Sequence, residues 1–312
     1  MTLLKRIPWL ITCLLVFSSP ASFSQRSYSA SSVLATGNWY RLAINEPGVY
    51  RIDLPYLNKS GINTANLSTN SFRLFGNGGG MLAEDPFTSP ADDLVENAVF
   101  IEDGGDGFIN GNDYILFYAN GPHRWITDPT TRRFSHVRSL YSDESYYYFS
   151  FGGTGKRIPA SINTATPNVE ISAFDDHYFH ELDTVNFLSS GKQWFGEEFS
   201  NSPGKSLSRT FNISFPNILQ VPGSISTNLL ARSFNTGSRF SVRLNNQLLG
   251  QVDLPAVGNG IYEAFAKIQR TELAFTAGNP ALSLTLEYTP GSINSQGWLD
   301  WFEISVRREL SI

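Results

Sequence analysis

The sequence predicts an all-β protein: two consecutive antiparallel β-sandwich or jelly-roll-like domains after a signal peptide. Three observations carry this. Charged residues make up only 16% of the chain while aromatics reach 13%, and Gly, Ser, Asn and Thr are abundant, which suits pleated strands joined by many turns. From Lys205 onward, apolar and polar residues alternate with the two-residue period of a strand that has one wet face. Glycine, proline and asparagine clusters interrupt these runs at short intervals, and several short strands punctuated in this way describe a sandwich or jelly roll. There are no heptads and no long amphipathic helical runs.

Residues 1–24 read as a secretory signal. Lys5 and Arg6 supply the positive start, Trp9 to Phe17 form a short apolar stretch, and Ser22 and Ser24 suit cleavage before Gln25. A retained anchor is the alternative, but the stretch is too brief to span a bilayer and no later one reaches that length. Residues 25–35 are Ser-rich and read as a flexible lead-in. The first β domain covers 36–158. Asn38 to Ile44 and Val49 to Leu54 predict strands, with Glu46-Pro47-Gly48 between them as the turn of a hairpin. Leu57 to Leu67 predict a short helix. Ser71 to Phe75, Asn97 to Glu102, Tyr114 to Tyr118 and the aromatic run Ser145 to Phe151 predict further strands. The second domain covers 159–312. Within it Arg209 to Phe215, Phe240 to Leu244, Leu282 to Tyr288 and Phe302 to Val306 alternate, and Asn245-Asn246 predicts a tight turn. The segment Asp176 to Phe199 suits a strand pair or a connection.

Cys13 is the only cysteine. Once the signal is removed no thiol remains, which excludes a disulfide framework, a thiolate metal site and cysteine catalysis from this chain. Removing Lys5 and Arg6 from 23 Lys plus Arg leaves 21 against 28 Asp plus Glu, a net charge of −7. That balance speaks against nucleic acid, which binds to basic stripes, and against docking on anionic lipid.

Four features invite a chemical reading. Asp103, Asp106 and Asp113 surround a Gly-rich turn and resemble a calcium loop, since close carboxylates about a sharp turn are what a hard cation requires. Glu102 and Gly104 stand where such a loop has ligating Asp residues, and a simple turn between strands is the competing reading. Gly76 to Gly80 lacks the Lys and Ser/Thr of a phosphate cradle, so a turn with positive φ is expected. His123, His136, His177 and His180 are the only histidines. His177 and His180 have a spacing that serves zinc on a helix, yet no third ligand is evident, and solvated or structural roles are expected. Finally, Trp298 and Trp301 in Gly297 to Ile304 would stack on sugar rings if exposed. The alternative puts Trp298 and Phe302 together on the core side, with Trp301 packing against a neighbouring domain.

A family resemblance extends this reading. Gly37-Asn38-Trp39-Tyr40-Arg41-Leu42, Glu46 to Asp53, Phe72-Arg73-Leu74-Phe75-Gly76-Asn77-Gly78-Gly79-Gly80-Met81-Leu82, Asp92 to Asn97, Asp113 to Tyr118 and Gly297 to Ile304 together resemble the N-terminal region of the PorU-type sortases of the type IX secretion system of Bacteroidetes. The resemblance covers essentially the whole chain after the signal. It implies β domains ahead of a gingipain-like cysteine peptidase domain that removes C-terminal sorting domains from cargo and joins the cargo to lipopolysaccharide. It implies a place on the extracellular side of the outer membrane of a Gram-negative bacterium. The implied partners are the downstream peptidase domain, the secretion components there and the cargo sorting domains. The peptidase domain is absent, so no catalytic residue is assigned and the chain alone is expected to be inactive, whether as a piece of a longer product or as one half of a divided gene. No cofactor is expected beyond the calcium suggested by Asp103, Asp106 and Asp113. A stand-alone carbohydrate-binding sandwich using Trp298 and Trp301 is the other reading.

Overall fold

A computed structural model describes residues 28–85, 87–128, 130, 133–161, 166–189 and 191–311. The signal peptide expected over 1–24 and the first residues of the lead-in lie outside the described residues.

The first unit is two small antiparallel sheets closed on one core. Strands β1 (Tyr40–Ile44), β3 (Phe72–Phe75), β4 (Glu96–Asn97) and β9 (Ser145–Phe151) form one sheet in the order β1-β9-β3-β4. Strands β2 (Gly48–Asp53), β5 (Phe100–Glu102) and β6 (Tyr114–Ala119) form the other in the order β2-β6-β5. The expected β1–β2 hairpin does not form. β1 pairs with β9 and β2 with β6, so the turn at residues 45–47 carries the chain from one sheet to the other. Each strand has a single apolar face, and each turns it onto the shared core: Leu42 and Ile44 from one side, Ile52, Ile115 and Phe117 from the other. Two layers bury both stripes, which a lone hairpin cannot do. The helix α1 (Leu54–Lys59) starts earlier than Leu57 because Asp53 caps it, accepting the Tyr56 N–H at 3.0 Å, with Pro55 in the first turn. A two-stranded ribbon, β7 (Arg124–Thr127) with β8 (Phe134–Val137), projects from this unit.

The second unit is a sandwich. Its first sheet runs β10 (Ala173–Glu181), β18 (Gln296–Glu309), β13 (Pro222–Arg232), β16 (Lys267–Thr276), with β11 (Glu198–Phe199) also on β18. Its second runs β12 (Ser208–Ser214), β17 (Ala281–Thr289), β14 (Ser238–Leu244), β15 (Gln247–Leu254). Every ladder is antiparallel. The alternation predicted for β14 and β17 is observed: Phe240, Val242, Leu244, Leu282, Leu284, Leu286 and Tyr288 all lie in the core between the sheets. Asn245 and Asn246 both have positive φ, 49° and 68°, as the tight hairpin turn demands. Strand β13 was not evident because its Ser224, Ser226 and Asn228 weaken the apolar signal, yet it is an interior strand of the five-stranded sheet, paired with both β18 and β16.

One irregularity shapes the whole first sheet. Asn228 pairs with Trp301 and Leu229 with Leu299, so Asp300 is an extra residue, a β-bulge, in β18. The bulge changes which face each aromatic takes. Leu299, Phe302, Ile304 and Val306 point into the sandwich core. Trp298, four residues before Phe302, belongs instead to a separate cluster with Phe195 and Leu230, on the opposite face of the sheet. The expectation that Trp298 and Phe302 share the core side is thereby corrected.

Gly297 faces rings of the second sheet: a Cβ there would sit 2.7 Å from Phe240 Cζ and 2.9 Å from Tyr288 Cδ2. Both rings are buried and cannot yield cheaply. Gly297→Ala is therefore expected to cost about 1–3 kcal/mol through overpacking, read as a lower urea midpoint at an unchanged slope. A midpoint equal to that of the parent chain would contradict this account of the packing.

Candidate functional site

The site is built where the β7–β8 ribbon of the first unit lies across the outer face of the five-stranded sheet. In the ribbon Trp125 stands opposite His136, so Trp125, His136 and Phe134 share one face, by the alternation of strands. That face meets β10. The Trp125 and His177 rings are 3.8 Å apart, Phe134 and His177 4.6 Å, and His136 stacks on Phe179 at 4.6 Å. The edge of Trp301 meets His136 at 5.3 Å, and the Arg270 guanidinium lies 4.9 Å from the centre of the Trp301 ring. At the end of the ribbon, Arg133 pairs with Glu272 of β16.

His136 is the centre of this contact. Its side chain is 6% exposed. Nδ1 lies 2.6 Å from Glu303 Oε1 and Nε2 lies 2.8 Å from Glu181 Oε2, while the His136 backbone N–H donates to the same Glu303 oxygen at 2.7 Å. Glu303 is itself buried on β18, and Glu181 ends β10. Both ring nitrogens face carboxylate oxygens, which accept only, so both must carry protons and the ring is an imidazolium. Burial opposes that charge, but the hydrogen bonds to Glu181 and Glu303 outweigh it and push the pKa up to about 9.

Beside the lock opens a cleft of about 660 Å³, lined by the 138–143 segment, the ends of β10 and β8, the 192–195 segment and the bulge on β18. Arg138 lies 3.3 Å from Asp183 and donates to the Glu181 carbonyl. Lys192 pairs with Glu84 at 2.6 Å. Asp300 accepts a hydrogen bond from Asn228 Nδ2 at 2.7 Å. Burial, against that hydrogen bond and with Glu181 and Asp183 nearby, pushes the Asp300 carboxyl up to about 6, and burial also raises Asp183. His123 accepts the Ser139 N–H on Nδ1 at 3.0 Å, and burial together with Arg138 lowers its pKa.

The residues singled out from sequence fall elsewhere or take other roles. Asp103 accepts from Thr69 Oγ1 and the Gly105 N–H, Asp106 from the Phe108 N–H and Asn110 Nδ2, and Asp113 from the Asn110 N–H. Each carboxylate braces a turn instead of converging on a point. Among the described residues no three His, Cys, Asp or Glu gather as a metal site, so the residues present do not fit the calcium suggested by the sequence. Gly78, Gly79 and Gly80 all have positive φ in a turn that packs against residues 120–124. His177 and His180 lie on opposite faces of β10, His177 under the ribbon and His180, partly exposed, against Phe302 and Glu197. Their spacing of three suits a helix, and the element is a strand. Trp298 is 2% exposed and covered by Phe187, so it presents no face to a sugar. Trp301 is engaged by the ribbon, as the domain-packing alternative has it. The His136–Glu181–Glu303 group was missed. Its one local signal is Glu303, an acid flanked directly by Phe302 and Ile304 on β18.

The fold and site define a class: an all-β protein of two stacked sandwich-like units locked by a buried ionic contact. The structure is similar to dimeric latent PorU from Porphyromonas gingivalis, with a TM-score of 0.71 and 23% identity over 89% of this chain and 25% of that one. The fold is thus that of a PorU-type N-terminal region, as the sequence resemblance implied, and the chain spans about a quarter of PorU's length. Two further solved structures overlap far more loosely. A carbohydrate-binding module in complex with calcium and xylotriose gives a TM-score of 0.27 and 11% identity over 43% of this chain and 99% of that one. An insecticidal delta-endotoxin from Bacillus thuringiensis gives 0.30 and 10% over 77% and 42%. No protein-family profile and no curated protein sequence matches the chain.

The lock has a definite pH signature. A histidine whose folded pKa lies near 9 instead of 6.5 stabilises the fold fully below about pH 6.5 and loses that contribution as pH rises through 9. His136→Gln is expected to destabilise the protein by about 3–5 kcal/mol at neutral pH, because Glu181 and Glu303 lose their buried counter-charge. The parent chain should lose thermal stability between pH 8 and 10 relative to its neutral value, and the variant should lack the His136 share of that fall. Parallel pH profiles for the two proteins would refute the assignment.

Proposed function

We propose that this chain is the non-catalytic N-terminal portion of a PorU-type sortase, exported and held at the extracellular side of the outer membrane. There it would carry a gingipain-like cysteine peptidase and transpeptidase domain and offer docking surface to secretion components and to cargo sorting domains. The observation that carries the reading is the structural similarity to latent PorU, which extends over 89% of the chain at a TM-score of 0.71. The locked ribbon supports it, since a scaffold must hold its units in one orientation while a catalytic domain acts beside it. The signal-like residues 1–24 support export. The lack of any cysteine beyond Cys13 supports a role apart from thiol chemistry.

Two measurements test the reading. The purified chain is expected to leave a sorting-domain substrate intact. In-frame deletion of residues 36–311 from the gene in its own bacterium is expected to leave cargo with its sorting domain attached. Cleavage by the purified chain, or normal cargo maturation after the deletion, would overturn the proposal.

A further inference from the structure

The cleft beside His136 has a feature that the lock does not use. Three cations line it, and each is already engaged: His136 by two glutamates, Arg138 by Asp183, and Lys192 by Glu84. Among the acids, Asp300 stands apart, because its partner on the protein is the neutral amide of Asn228. Burial and the neighbouring Glu181 and Asp183 raise its pKa more than the Asn228 hydrogen bond and the charge of His136, which makes no contact with it, lower it. The bulge places this carboxylate at the cleft floor, and Trp194, 42% exposed, and Tyr141 stand at the rim.

The charged cleft adjoins a second, apolar pocket of about 210 Å³. Gln193, Phe195 and Ile268 line both, and Phe187, Leu230 and Phe265 complete the apolar part. The volume of the cleft is in the range of ligand sites, roughly 300–1,000 Å³, and an apolar wall with a few convergent polar groups is their usual composition. A ligand that fits must offer a cation to Asp300 and an apolar group to the adjoining pocket, in one connected piece.

We propose that this cleft is a peptide-binding site, which takes an extended segment with an arginine or lysine on Asp300 and a large apolar side chain in the pocket of Phe187, Leu230 and Phe265. A guanidinium answers Asp300 through charge-assisted hydrogen bonds, and its flat face can stack on Trp194. A neutral sugar would use the aromatic rim but leave the Asp300 charge unanswered, so the acidic floor favours the basic peptide. The assignment rests on the chemistry of the cleft alone and stands whether or not the chain belongs to a sortase.

The test uses the purified chain and three capped tripeptides, followed by tryptophan fluorescence and calorimetry: acetyl-Leu-Ser-Arg-amide, the same peptide with citrulline for arginine, and the same with serine for leucine. The arginine peptide is expected to bind at least about tenfold more tightly than either of the others. Asp300→Asn, which keeps the shape of the side chain, should erase the preference for arginine over citrulline. Trp194→Ala, at an exposed rim site, should weaken the arginine peptide as well, so the test survives if Asp300→Asn does not fold. Equal binding of the arginine and citrulline peptides, or no binding up to about 1 mM, overturns the proposal. So does tighter binding of maltotriose that Asp300→Asn leaves unchanged.

Discussion

A histidine with 6% of its side chain exposed must have its charge answered where it sits, and His136 meets that requirement with carboxylates from two different strands. The geometry is unusually complete: both ring nitrogens and the backbone N–H of one residue end on Glu181 and Glu303. Such a group is a poor source of net stability, because desolvating an imidazolium and two carboxylates costs several kcal/mol per ion. What it supplies is position. A ribbon held only by Trp125, Phe134 and Phe179 could slide along β10, since apolar contact is non-directional. A ring that must place two nitrogens on two fixed oxygens cannot. The relation between the units follows from that single registration, and the surface pairs Arg133–Glu272 and Lys192–Glu84 follow it, since exposed ion pairs contribute about 0–1 kcal/mol.

The bulge at Asp300 is the second constraint, and it acts through the first. Without the extra residue, Trp298 would share the core face with Phe302 and leave the outer face. With it, Trp298, Trp301 and Glu303 all face outward while Leu299, Phe302 and Ile304 fill the core. The outer face thus acquires two apolar features that need cover and one acid that needs a partner. Phe187 and Phe195 cover Trp298, and the ribbon covers Trp301 and pairs Glu303.

Much of the β architecture was legible in the chain because its signals are local. The alternation in Phe240 to Leu244 and Leu282 to Tyr288, and the Asn245-Asn246 turn, depend on neighbours in sequence and fell where expected. The errors share one cause, which is dependence on distant residues. Nothing near residues 45–47 says that β1 will pair with β9, about a hundred residues on, instead of with β2. The ribbon strands are four residues each, too short for periodicity to register. The face taken by Trp298 is set by an offset against β13, a strand whose serines and Asn228 hide it. For the same reason the acids around Gly104 looked like a metal loop: sequence shows their spacing, but not that each is turned onto a backbone N–H of its own turn. The site itself joins residues 136, 181 and 303, and no local pattern connects them.

The existence of the cleft follows from how the outer face is covered. An antiparallel sheet can leave one face to water only where that face is polar, and here the outer face is mixed: polar along Ser224, Ser226 and Asn228, apolar at Trp298 and Leu230. Two separate covers lie on it, the ribbon from the first unit over His177, Phe179 and Trp301, and Phe187 and Phe195 of the second over Trp298. They do not meet. Between them remain the bulge carboxylate, Ile268 and the exposed side of Trp194, a strip that is neither core nor ordinary surface. The ribbon and His136 already hold the two units to each other. The gap between the covers is therefore free to serve recognition, with walls whose positions are set by the same contact that holds the units together.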